Sequence, residues 1–177
     1  SISLVNAPQA GVAFLQRNAA ALNVDPASLR LLYSEIVGGK AYQKYIQVYN
    51  GVDVLQSYVD LRISRNGRVF MFGSDFHPAV NVNTSPTIAL QAAREFAKAG
   101  LPYVEGSSHI TDRGLFILPV RHADRIDYKL VYRLEVRQDV KELWDTYVDA
   151  HDGRIIWRKN LVPHFHDTVH GGPDAVT

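Results

Sequence analysis

The sequence predicts an α+β protein in which two units follow each other, each with a helix packed on an antiparallel sheet. Three observations lead to this prediction. Apolar residues at helical spacing occur twice, runs typical of β-strands follow them each time, and Gly-containing pairs separate those runs. We expect the first unit at residues 1–80, the second at 81–162, and an extended tail or linker at 163–177.

The first helix is predicted from the apolar positions between residues 12 and 22, which recur at helical spacing. Asn6 is a residue type that caps helix N-termini, and Gln9 stands three positions later, as in a capping box. Asn23 follows the last apolar position and is expected to end the helix.

The strands of the first unit are predicted from alternating patterns between turn signals. Asn50-Gly51 is the strongest of these signals, because both residue types tolerate the positive φ that a two-residue hairpin requires. The predicted strands are Leu31–Val37, Ala41–Tyr49, Val52–Leu55, Tyr58–Ser64 and Arg68–Gly73.

The second unit repeats the plan of the first without obvious sequence identity. Ser85 is placed to cap a helix that starts with Pro86 and ends at Gly100. Asp152-Gly153 is a further hairpin signal. The predicted strands are Leu115–Val120, Tyr128–Val136, Leu143–Ala150 and Arg154–Trp157.

Composition makes several classes of function improbable. The formal net charge is +1 and no basic block stands out, which argues against binding to nucleic acids or membrane surfaces. Cysteine is absent, so disulfides, thiolate nucleophiles and cysteine-ligated zinc are excluded. No Gly-x-Ser-x-Gly, phosphate-binding glycine loop or His-Glu-x-x-His occurs. The sequence therefore predicts neither catalytic residues nor a bound cofactor.

The tail contains the only histidine cluster, formed by His164, His166 and His170. Residues two apart share one side of an extended chain, so His164 and His166 can offer two imidazoles to one metal ion. A third ligand would come from His170 or Asp167. A polar linker is the favoured interpretation of this segment, and a metal site is the alternative.

Aromatic residues crowd both predicted sheets and allow two interpretations. Alternating aromatic side chains in a sheet usually pack a core, but they are also enriched at protein interfaces. Core packing is favoured, with a partner-binding face as the alternative. The residues concerned are Tyr42, Tyr45, Tyr49, Tyr58, Trp144, Tyr147 and Trp157.

Two stretches resemble known families. Tyr45–Val54, with the pattern Gln-x-Tyr-Asn-Gly, resembles the fungalysin/thermolysin propeptide (FTP) motif, and the helix around Phe14–Leu22 looks like the one that precedes it. Leu130–Val136 and Trp144–Ile156 resemble a PepSY domain, which typically has a strand, Val-Asp-Ala-x-x-Gly and a closing strand. The FTP pattern departs from its usual form in two places, with Tyr42 where His is frequent and Asp53 where Pro is frequent.

The resemblance implies two cystatin-like units in tandem, an FTP-like domain at 1–80 and a PepSY-like domain at 81–162. It implies a non-catalytic prosegment of a secreted zinc metalloprotease that acts as an intramolecular chaperone and temporary inhibitor. Zinc is then expected in the partner protease domain and not in this segment. The residues implied in partner binding or in the motifs are Gln47, Tyr49, Asn50, Gly51, Trp144, Tyr147, Asp149 and Gly153.

Other interpretations remain open at the level of sequence. The chain starts at Ser1 without Met or a signal-like segment, so we expect a processed piece of a longer precursor. The segment from Asn160 to Val176 is then expected to run towards the protease cleft, with a cleavable linker as the alternative. A stand-alone binding or inhibitor module is the second functional interpretation, and a small metal-dependent enzyme using the tail histidines is the third.

Overall fold

The computed structural model describes residues 6–138 and 142–162. This part of the chain has an α+β fold with two α-helices and one eight-stranded mixed sheet, so the α+β class is confirmed. The elements are α1 (Ala7–Leu22), a 3₁₀ turn (Pro26–Ser28), β1 (Leu29–Val37), β2 (Lys40–Tyr49), β3 (Val52–Ile63), β4 (Val69–Ser74), α2 (Leu90–Ala97), β5 (His109–Arg121), β6 (Ile126–Arg137), β7 (Leu143–Asp149) and β8 (Ile155–Asn160).

The sheet is continuous across the two halves of the chain, whereas the sequence suggested a separate sheet for each half. Its strand order is β1-β2-β3-β5-β6-β7-β8, and β4 pairs with the part of β3 that β5 does not reach. Neighbouring strands are antiparallel, except that β3 and β5 run parallel and meet at Val54 and Ile117. This single parallel contact joins the first half, α1 with β1–β4, to the second half, α2 with β5–β8.

A bulge in β3 lies at this contact. The register between β2 and β3 shifts at Gln47, opposite Val54–Ser57. The Ser57 hydroxyl accepts a hydrogen bond from the Gln47 backbone N–H at 3.2 Å and donates one to the Val54 carbonyl, which satisfies polar groups that the bulge removes from the ladder. Gln56 adopts a positive φ of 57° there. β3 stays paired with β2 on both sides of the bulge, and Val54 within it pairs with Ile117 of β5 along the opposite edge of β3.

Both helices lie on the same side of the sheet. Under α1, Leu15 packs in one cluster with Tyr45 and Leu61. Under α2, Ala93 and Ala97 pack against apolar residues that include Leu134 of β6. The opposite side of the sheet, which we call the helix-free face, has no described helix over it.

A central cluster connects the two helix-bearing regions. It contains Val54, Ile117 and Leu130, with Tyr49 packed against it. Tyr49 alternates with Tyr45 on β2, and Leu130 alternates with Leu134 on β6, so each pair shares one face of its strand. The central cluster therefore lies between the regions under α1 and α2, and it shares Tyr132 with the cluster under α2.

The helix starts differ from the sequence prediction. Asn6 makes no side-chain cap hydrogen bond at the start of α1, so the predicted capping box is wrong. The second helix begins at Leu90 instead of Pro86, and Ser85 does not cap it. The residues before α2 make no helical hydrogen bonds at this point, because the N–H groups of Thr87 and Ile88 both donate to the Ala150 carbonyl, at 2.9 and 3.1 Å.

Turn predictions were more accurate than helix-start predictions. Asn50 and Gly51 form the β2–β3 turn with φ values of 47° and 82°, and Gly153 has a φ of 78° after β7. The two predicted strands Val52–Leu55 and Tyr58–Ser64 are one strand with the bulge inside it.

No described helix is long and apolar enough to cross a membrane.

Candidate functional site

The residues singled out from the sequence lie in two groups. Gln47, Tyr49, Asn50 and Gly51 surround the β2–β3 turn in the first half. Trp144, Tyr147, Asp149 and Gly153 lie on β7 and in the turn that follows it. The first group lies at the β2–β3 turn and the second at β7 and its following turn. The central cluster lies between the two groups.

Gln47 holds the linker, residues 75–89, that connects β4 to α2. Its side-chain amide donates to the His77 carbonyl at 2.8 Å and accepts from the His77 backbone N–H at 2.9 Å. Gln47 and His77 are both buried. Because both polar atoms of the amide are used, this two-point contact fixes the linker against β2 without leaving a buried donor or acceptor unpaired.

Tyr49 and Gln47 also line an open cleft of about 500 Å³. The end of α1, the 3₁₀ turn and the start of the linker form the rest of its wall, with His77 among them. Asn50 and Gly51 are exposed at the tip of the hairpin. Asp25 is the acidic side chain and His77 the imidazole among the residues that line the cleft.

Asp149 and Gly153 shape the β7–β8 turn. One Asp149 carboxylate oxygen accepts the backbone N–H of His151 at 2.8 Å, and the Gly153 N–H donates to the Asp149 carbonyl at 3.0 Å. Phe96 of α2 occupies the space that a side chain at Gly153 would need. Gly153 therefore permits both the positive φ of the turn and the close approach of α2.

Trp144 and Tyr147 point to opposite sides of β7. Trp144 packs with the cluster under α2. Tyr147 lies on the helix-free face, where its ring contacts Trp157 with 5.1 Å between centroids. Its hydroxyl donates to the Asp145 carboxylate at 2.9 Å, and burial together with the Asp145 charge raises the pKa of Tyr147 well above its ordinary value.

Asp145 is the centre of a charged network that the sequence analysis missed. Its two carboxylate oxygens accept hydrogen bonds from Arg133, both at 2.9 Å, and the bond from Tyr147 adds a third. The hydrogen bond to Asp145 raises the pKa of Arg133. Alternation along β7 places Asp145 and Tyr147 on one face, but the sequence contained no signal that pairs Asp145 with Arg133 of another strand.

The helix-free face carries exposed aromatic and mixed-charge side chains at both ends. Tyr33 and Tyr42 border a cavity of about 340 Å³ in the first half, beside Asp60, Arg62 and Met71. Trp157 lies in the second half beside Leu118 and Val120. Aromatic and arginine side chains next to apolar surface are typical of protein interfaces.

Metal binding finds no support among the residues that the structure describes. They contain no group of three or more His, Cys, Asp or Glu side chains that could hold a metal ion. His164, His166 and His170, the candidates from the sequence, lie outside the described residues.

Comparison with known families and proteins confirms the resemblance inferred from Tyr45–Val54. Residues 28–76 match the family model described as Fungalysin/Thermolysin Propeptide Motif. Bacillolysin of Bacillus amyloliquefaciens is 23% identical over 160 residues, which cover 85% of this chain and 31% of bacillolysin.

Two fungal proteins are similar to the chain as well. Extracellular metalloproteinase 10 of Uncinocarpus reesii is 30% identical over 154 residues, which cover 71% of this chain and 24% of that protein. Extracellular metalloproteinase MEP of Fusarium vanettenii is 27% identical over 148 residues, with coverages of 75% and 23%. The chain thus spans less than a third of the length of the curated relatives it matches.

Among solved structures, the Bacillus megaterium YpeB C-terminal domain aligns with a TM-score of 0.44 and 16% identity, over 90% of this chain and 66% of that chain. The evidence for homology comes from the sequence comparisons. Residues 28–76 contain a propeptide motif of the fungalysin/thermolysin type, and the chain is homologous over most of its length to bacillolysin and to fungal extracellular metalloproteinases.

Proposed function

We propose that this chain is a non-catalytic prosegment of a secreted zinc metalloproteinase, which assists the folding of the protease domain and inhibits it until cleavage. The propeptide motif at residues 28–76, within a chain related to extracellular metalloproteinases, is the observation that carries this proposal. The partner is the protease domain of the same precursor, and the zinc ion belongs to that domain.

The two halves correspond, in this proposal, to an FTP-like domain at residues 1–80 and a PepSY-like domain at 81–162, both of cystatin-like type. The packing supports this division, because α1 packs on β2 and β3 whereas α2 packs on β6 and β7. Residues 163–177 form the connection to the protease.

The helix-free face is the surface that we assign to the protease domain. The helices cover the other side of the sheet, while Tyr33 and Trp157 remain exposed at the two ends of this face. Large, rigid aromatic side chains contribute much of the binding energy in protein interfaces and lose little conformational entropy there. A partner that contacts both ends would hold the two halves in one arrangement.

Refolding of the protease domain encoded with this chain tests the proposal. We expect the chain, added in trans, to increase the recovered proteolytic activity and then to inhibit the refolded enzyme. Unchanged recovery together with unchanged proteolysis would refute the prosegment function. Inhibition without any gain in recovery would indicate the alternative, a binding or inhibitor module.

A matched pair of variants tests the assigned face. Tyr33→Ala with Trp157→Ala removes side chains that are 42% and 44% exposed on the helix-free face. Val12→Ala with Phe96→Ala removes side chains that are 41% and 43% exposed on the helices. We expect the first double variant to weaken inhibition at least tenfold, the equivalent of about 1.4 kcal/mol, and the second to leave it unchanged. The opposite result would place the interface on the helices.

A further inference from the structure

His77 lies where the two halves of the chain meet. It belongs to the linker that leaves β4, and its backbone is held against β2 by the two hydrogen bonds from Gln47. Its ring contacts the other half, because it meets Tyr128 of β6 edge-on with 5.6 Å between ring centroids. One buried residue therefore touches both halves and the segment that connects them.

The surroundings of the imidazole suit only its neutral form. Nδ1 lies 3.3 Å from the Tyr128 hydroxyl, so a neutral ring with its proton on Nδ1 donates to that oxygen and leaves Nε2 without a proton. Nε2 is buried and has no hydrogen-bond partner among the described residues. A protonated ring carries N–H donors at both nitrogens, and the Nε2–H would then be a buried charged donor without an acceptor.

The charged groups around the ring oppose a second proton on balance. Arg121 of β5 adds a nearby positive charge, and Asp75 of the linker is the nearby carboxylate that favours protonation. Tyr128 faces the ring from β6, and Tyr49 of β2 and Asp25 before the 3₁₀ turn share the cleft with it. Burial first, and the Arg121 guanidinium second, lower the pKa of His77, while Asp75 partly offsets them.

We propose that His77 is an acid-sensitive latch between the two halves: a second proton on its ring expels it from its site and frees the linker from Gln47. In this proposal the ring leaves together with the His77 backbone, so both hydrogen bonds to Gln47 are lost. The halves then remain joined through the β3–β5 contact and can change their relative orientation. The latch lies within this chain, and its test does not depend on the proposed function.

His151 shows that this response belongs to one histidine and not to the linker in general. Its Nδ1 lies 3.0 Å from the Thr87 hydroxyl, and its Nε2 lies 3.0 Å from the Asn83 carbonyl. Both partners can accept a hydrogen bond, so neither ring nitrogen of His151 is left without a partner, in contrast to Nε2 of His77. The proposed opening therefore concerns the contact at His77.

The sign of the pH effect follows from linkage. The pKa of His77 is lowered in the folded chain, so the unfolded state binds more protons below its own pKa of about 6.5. The contribution of His77 to stability is complete above that pH and is lost as the pH falls towards the folded-state pKa. Within this window the unfolding equilibrium constant should rise by up to tenfold per pH unit.

Urea unfolding of the full chain between pH 7.5 and 5.0 measures this rise. We expect His77→Gln, which cannot be protonated, to reduce the slope by one proton. Because His77→Gln changes a buried position, Arg121→Gln provides a second test at an exposed one. Removal of this charge should move the acid transition of the chain to higher pH, whereas Arg137→Gln, the same charge change at the far end of β6, should not.

The opening of the joint can be followed directly because the chain contains no cysteine. Arg17→Cys on α1 and Gln91→Cys on α2 supply two exposed labelling positions, one in each half. We expect the inter-label distance distribution to change between pH 7.5 and 5.0 in the wild-type background. A distribution that is independent of pH, or an acid transition that Arg121→Gln and Arg137→Gln affect equally, would refute the latch.

Discussion

The two halves bury polar groups in opposite ways. In the first half, β2 buries the uncharged amides of Gln43 and Gln47, whereas in the second half β7 buries the carboxylates of Asp145 and Asp149 beside the Thr146 hydroxyl. Each half repeats one local arrangement. The Tyr45 hydroxyl donates to Gln43 at 2.9 Å, and the Tyr147 hydroxyl donates to Asp145 at 2.9 Å, two residues apart on one strand in both cases.

The location of each network explains its chemistry. Tyr45 lies under α1, where burial raises the pKa of its hydroxyl to about 12 and a charge would have no access to water. Asp145 lies on the helix-free face, and its partner Arg133 keeps 31% of its side chain exposed. An ion pair is less costly where one partner stays hydrated. Both halves thus contain a tyrosine that donates to a polar side chain two residues before it on the same strand. That acceptor is an uncharged amide on the side covered by α1 and a carboxylate on the helix-free face.

Loss of the amide contact should have the largest effect on stability. Gln47→Leu fills similar space but leaves the His77 N–H and carbonyl without their partner. We expect a loss of about 3 kcal/mol in the free energy of unfolding, since each buried unpaired group costs about 1–3 kcal/mol. Urea denaturation measures it, with Gln91→Leu on the exposed surface of α2 as control. A loss below that of the control would show that Gln47 does not hold the linker.

Loss of the carboxylate should cost less. Asp145→Asn keeps the shape and one acceptor but leaves the half-buried Arg133 charge without its counterion. We expect a loss of about 2 kcal/mol, below the range for fully buried pairs because Arg133 is partly hydrated. Glu135→Gln is the matched control, because its partner Arg113 is more exposed, and it should cost less than about 1 kcal/mol. If Asp145→Asn costs more than Gln47→Leu, the comparison between the halves is reversed.

Substitution of one glycine in a turn of each half should give the smallest difference in stability between the halves. Gly51 and Gly153 both have positive φ, but a side chain at Gly51 meets open space and one at Gly153 meets Phe96. We expect Gly51→Ala to cost about 1 kcal/mol from backbone strain alone, and Gly153→Ala to cost about 1.5 kcal/mol or more. Thermal denaturation of both variants measures the difference. Equal losses would indicate that Phe96 moves away without penalty.

Local signals in the sequence predicted what depends on local geometry. The sequence predicted turns at Asn50-Gly51 and Asp152-Gly153 because the tolerance of positive φ belongs to the residue type itself and does not depend on contacts with distant residues. The end of α1 was recognised for the same reason, and Asn23 adopts a left-handed conformation with a φ of 51°.

Contacts between distant residues could not be predicted in the same way. The predicted start of α2 is too early because the Ala150 carbonyl, in the turn after β7, accepts the N–H groups of Thr87 and Ile88. The Gln47–His77 contact spans 30 positions. Val54 pairs with Ile117 beside a bulge in which Gln56 has a positive φ, a conformation that glutamine seldom adopts. These features arise from tertiary packing, for which alternation and propensity give no signal.

The change of partner by β3 has a consequence for attempts to divide the chain. A cut within the linker would leave Val54 facing solvent in one fragment and Ile117 in the other, and would split the central cluster between them. Each fragment would then present an unpaired apolar strand edge, a template for aggregation. Fragments made for separate study should therefore remain soluble only when both are produced together.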